Sequence, residues 1–175
     1  FIIFGNAGFI DTSWSDSDPN NDGSGLVGSA PSLFGIGGEA TIEVSVDGSA
    51  GSWVTAAVTT LDLFPTLGYA DSSIPTDFSP GSIETDFTQA MDPSLALADL
   101  ASLNYAQLVA LYNGSGGGIG IDIDSTGLSS VNFVRISNNA GEAFEIDAIS
   151  VVPAPAPIAV SGLSLIGMST RRNRL

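Results

Sequence analysis

Apolar residues recur along this chain in short runs, separated by stretches rich in glycine, proline and aspartate. Residues 1–4, FIIF, read as an apolar strand. Residues 11–25, DTSWSDSDPNNDGSG, are a polar loop dense in turn formers. In ATIEVSVDGSAGSWVTAAV, Ile42, Val44 and Val46 alternate with Glu43 and Ser45, the period-two pattern of a strand with one wet face. Asp47-Gly48 then supplies turn chemistry, and Trp53 opens the next strand. Residues 60–80 are irregular and contain Pro65, Pro75 and Pro80. MDPSLALADLASLNYAQLVALYNG is the helical passage: Asp92 can cap it, Pro93 suits its first turn, and Asn113-Gly114 stops it. One helix fits, and so do two short ones broken near residues 102–104. NGSGGGIG reads as a flexible glycine connector. IGIDID and SSVNFVRIS read as strands, the second with Val131, Phe133 and Arg135 on one face, and AFEIDAISVV is the last strand. SNNAG is expected to join those two as a hairpin loop. One helical passage among about eight strands predicts a mainly β protein, a β-sandwich or jelly roll.

Length and charge divide the chain in two. Its 175 residues suit one domain, residues 1–152, followed by a tail, residues 153–175. All 19 carboxylates and one arginine, Arg135, lie in the first part, which therefore carries a formal charge of −18. The tail carries Arg171, Arg172 and Arg174 and no acid. A body of this sign repels phosphate backbones, so nucleic acid is excluded as a partner. It suits an exported or surface protein that attracts cations. The opening FIIFGNAGFI has no initiator methionine and no basic flank, so it reads as a strand inside a domain rather than as a signal peptide. The expectation is that the domain is N-terminally incomplete, with any signal peptide upstream.

The chemistry available is narrow. Without histidine, cysteine or lysine, nucleophilic triads, Ser-Lys dyads and zinc sites are excluded. A carboxylate pair of the glycosidase kind is what remains, and among 19 carboxylates some pair is inevitable. The chain is therefore read as non-enzymatic. SDSDPNNDGSG offers Asp16, Asp18, Asn20 and Asp22 at alternate positions, a spacing that can wrap a calcium ion; the plain alternative is a solvated turn. Asp122 with Asp124, and Glu145 with Asp147, are further alternating pairs, each expected on one face of its strand. Sugar binding would use flat exposed aromatics. Trp14, in the polar loop, is the best placed; Trp53 is expected in the core, and Tyr69, Tyr105 and Tyr112 are further candidates. Arg135 is expected to pair with Glu145 or Asp147 on a neighbouring strand. The glycine run NGSGGGIG has no basic companion and is not a phosphate site.

After Val151 and Val152 the sequence runs PAPAP, then IAVSGLSLIGMST without a charge, then RRNRL. The uncharged span from Ala154 to Thr170 is 17 residues, short against the ~20 a membrane helix needs. Arginines beyond it would hold that end on the cytoplasmic side. This order, VPAPAPIAVSGLSLIGMSTRRNRL, resembles the PEP-CTERM sorting signal of bacterial surface proteins. Val152, Pro153, Ala154 and Pro155 stand at the motif, with Ala in place of the usual Glu. The resemblance implies a short C-terminal transmembrane-like helix and cleavage near the motif by an exosortase, an intramembrane cysteine protease. It implies export through an inner-membrane intermediate to the cell surface or extracellular matrix of a host that makes exopolysaccharide. The body, through FIIFGN, TIEVSVDGSAGSW and GGGIGIDIDSTGLSSVNFVRISNNAGEAFEIDAISVV, resembles bacterial secreted β-sandwich proteins of the galactose-binding-like jelly-roll kind. That likeness speaks to the fold. The chain is read first as an exported, non-enzymatic surface or matrix protein with structural or adhesive work, alternatively as a carbohydrate-binding module for exopolysaccharide, and third as a glycoside hydrolase.

Overall fold

The computed structural model describes residues 1–6, 8–9, 39–61, 64–71, 81–100, 103–139 and 144–152. Over these the protein is mainly β. Its strands are β1 (Ile2–Gly5), β2 (Glu39–Ser45), β3 (Val54–Thr60), β4 (Ile119–Gly120), β5 (Phe133–Asn138) and β6 (Ile146–Ser150), with one α-helix, α1 (Tyr105–Tyr112). They form two antiparallel three-stranded sheets, ordered β4-β1-β6 and β3-β2-β5. Ile3 and Ile119 of the first sheet share one buried cluster with Ala40 and Ile42 of the second, a sandwich-like arrangement. Among the described residues no helix is long and apolar enough to cross a membrane.

The hydrophobic pattern accounts for most of these elements. All four residues of β1 are buried, as an uninterrupted apolar run requires when both faces of a central strand are covered. In β2, Ala40, Ile42 and Val44 are buried while Glu39, Thr41 and Glu43 face outward. The expected alternation stops one residue early. Ser45 is buried, and its hydroxyl accepts from the N–H groups of Asp47 and Gly48, so the turn begins there and leaves Val46 exposed. The helical passage is two pieces, a 3-10 turn at Leu97–Leu100 and α1. Asp92 caps neither. Its carboxylate accepts from the N–H and hydroxyl of Ser94, closing a turn ahead of both. Asn104 is the true cap of α1, exchanging bonds with Gln107 in a capping box, and Asn113 ends the helix in the left-handed region at φ 49°.

Three expectations are corrected. Residues 137–141 do not close a hairpin: β5 pairs with β2, whereas β6 pairs with β1, so the chain crosses from one sheet to the other. The glycine run is a packed segment rather than a loose connector. Residues 115–119 are buried, Gly118 donates to the Phe64 carbonyl and Gly116 to that of Asp86. IGIDID is a strand for two residues only, after which Asp124–Thr126 turns as a 3-10 helix.

Candidate functional site

An apolar groove of about 490 Å3 lies beside β1 and β4. Its floor comes from segments far apart in sequence: Phe64 after β3, Met91 before the helical passage, and Ile119 and Ile121 at β4, all buried. Phe1 and Val152 lie along it, and both also line a smaller cleft of about 220 Å3 that includes Val134 of β5 and Ile149 of β6. Two exposed carboxylates, Asp92 and Asp122, stand on the larger groove. Each is fixed by its own backbone. Asp92 Oδ1 accepts from Ser94 N at 2.9 Å and Ser94 Oγ at 2.7 Å, and Asp122 Oδ1 accepts from Asp124 N at 2.9 Å. The Ser94 bonds hold the Asp92 carboxyl below its ordinary range. Such a group is a poor proton donor, the opposite of a glycosidase acid.

A second feature is the outward face of β3-β2-β5. Glu43 and Arg135 are cross-strand neighbours, and the guanidinium meets both carboxylate oxygens at 2.7 Å. Arg135 also lies 4.4 Å above the ring of Trp53. The expected pairing of Arg135 with Glu145 or Asp147 is thus overturned, because β6, which holds Asp147 and follows Glu145, belongs to the other sheet; Glu145 instead accepts from the Asn6 side-chain amide. Arg135 keeps Glu43 ionised below its usual range, and Glu43 raises Arg135 in return. Trp53 is half-buried beneath the guanidinium rather than in the core, and Phe133 on the same face is exposed. Tyr112 is no platform for a sugar: it is buried, with its hydroxyl donating to the Pro65 carbonyl at 2.8 Å.

Of the tail motif, the Asp16–Asp22 calcium positions and Trp14, Val152 alone is described; it is exposed just beyond β6. Trp14, Asp16, Asp18, Asn20, Asp22, Pro153, Ala154, Pro155, Arg171, Arg172 and Arg174 lie outside the described residues. The Asp122–Asp124 pair does not share a strand face, since Asp122 ties down the turn that Asp124 begins. Among the described residues no group of three or more acidic side chains could hold a metal ion. The groove went unseen in the sequence because it joins five distant segments. The one local signal was the run IGID, where Ile119 and Ile121 are followed at once by Asp122, apolar and acidic groups close together. A scan of protein-family models and searches of curated proteins and of solved structures find nothing that matches this chain.

Proposed function

We propose that the chain is an exported, non-enzymatic surface or extracellular-matrix protein, a jelly-roll sandwich released from the inner membrane when an exosortase cuts its tail. The observation that carries this is where the last strand stops. β6 ends at Ser150, Val151 and Val152 are exposed, and the Pro-Ala-Pro motif follows at once. A cut there removes the apolar stretch and the arginines without taking a strand from either sheet. Asp16, Asp18, Asn20 and Asp22 stay the proposed calcium ligands on sequence grounds. The test is the mass of the mature protein in a host with the cognate enzyme. The expected product ends near Pro155 and lacks Arg171, Arg172 and Arg174. Replacing those three with serine weakens retention by the anionic leaflet, about 1 kcal/mol for each arginine, and leaves the protein poorly processed. A mature product that still carries RRNRL overturns the reading.

A second reading, a carbohydrate-binding module, is favoured by one feature of the outer sheet face. Exposed Phe133 and half-buried Trp53 flank the Glu43–Arg135 pair, which sets aromatic surface beside fixed donors and acceptors.

A further inference from the structure

We propose that the groove beside β1 and β4 is a binding site for a small cationic amphiphile, a compact apolar body carrying one ammonium or guanidinium group. The inference is independent of how the tail is processed. The groove, at about 490 Å3, falls within the ~300–1,000 Å3 of small-molecule sites. Phe64, Met91, Ile119 and Ile121 give it an apolar floor. Its charged side chains have one sign, and the α-ammonium of Phe1, which also lines it, donates to the Ile121 carbonyl at 3.3 Å. Asp92 and Asp122 stand on it, and no lysine or arginine is among the described residues that line it. Both carboxylates are held in place through Oδ1 by local backbone, so little ordering is left for a ligand to impose. The Oδ2 atoms make no bond among the described residues and can each accept one from a cation. A fatty acid, a phosphate ester or another anion meets two carboxylates on a body of charge −18. A second copy of the chain brings the same charge and is disfavoured for the same reason.

The probes are hexylammonium, hexanol and hexanesulfonate, titrated into the full chain at low salt. The readout is the methyl resonance of Met91 on the groove floor, told apart from that of Met168, the second of the two methionines, by a Met168→Leu variant. The ammonium compound is expected to give a saturable shift with affinity about fivefold above the alcohol, the gain that exposed ion pairs support, and the sulfonate to be weakest. Asp92→Asn with Asp122→Asn keeps the Ser94 and Asp124 bonds available, so the fold is preserved. This double variant should bring the ammonium and alcohol affinities together while leaving the alcohol unchanged. Ala90 is exposed at the groove, so Ala90→Phe blocks it without disturbing the core and should abolish all three shifts. Absence of a saturable shift, equal affinity for ammonium and sulfonate, or a preference that survives the double variant would each overturn the proposal.

Discussion

Gly117 shows how much one residue can carry here. Its φ is +90°, in the region L side chains avoid, and a Cβ there would stand 2.4 Å from the Pro65 carbonyl oxygen. That carbonyl also receives the Tyr112 hydroxyl, so the contact cannot relax without disturbing a buried hydrogen bond. Gly127 also has a positive φ, +70°, but open space around it. Gly117→Ala should therefore lose roughly 3 kcal/mol, conformational strain plus overlap, whereas Gly127→Ala should lose only about 1 kcal/mol, the strain alone. Urea unfolding midpoints measure both. Equal losses would mean that the glycine run is as loose as its composition suggested.

At the level of elements, what the sequence revealed depended on how local the cause was. The alternation in β2 and the end of α1 at Asn113 were legible, because a strand face and a left-handed cap are set by a few neighbouring residues. The Asn104–Gln107 box carried its signal too, at the spacing of a capping box, but Asp92-Pro93 offered a competing start. The partners of β5 and β6 were not legible. Residues 137–141 are turn formers that serve a hairpin and a crossover equally well, and the choice lies in which sheet each strand's apolar face completes. The same crossover hid the groove and misdirected Arg135. It also leaves β6 paired only with β1 among the described residues, with Ile146 and Ile149 exposed and Asp147 between them. A charge in the middle of an apolar edge strand guards against edge-to-edge pairing. Asp147→Val should convert β6 into a sticky edge, seen as earlier elution and rising light scattering on concentration, with Asp147→Asn intermediate. A valine variant that elutes and scatters like the parent would show that β6 is covered.

For the whole molecule, a body at −18 suggests that acid should relieve repulsion and stabilise the fold. The hydrogen bonds argue the other way. Ser52 and Ser49 hold Asp47 down to about 2, and the N–H groups of Ile83 and Ser82 lower Asp71. Thr88 lowers Asp86, Ser94 lowers Asp92, and Arg135 lowers Glu43. Each of these groups is more acidic folded than unfolded, where the ordinary values are 3.8 for aspartate and 4.5 for glutamate. Their stabilisation is thus fully present above those unfolded values and is lost as pH falls through the folded ones. The bonds are short-range and specific, while repulsion among exposed carboxylates is screened over about 8 Å at physiological salt. The local bonds should therefore win. Tm is expected to stay nearly level from pH 8 to 5 and to fall from about pH 4.5 downward, the Asp47 share persisting to about pH 2. Asp47→Asn should flatten the lowest part of that descent, since the amide cannot be protonated there. Differential scanning calorimetry across this range at two salt concentrations separates the two effects. A Tm that climbs on acidification at low salt and stops climbing at high salt would mean that repulsion, not the serine and threonine bonds, governs this fold.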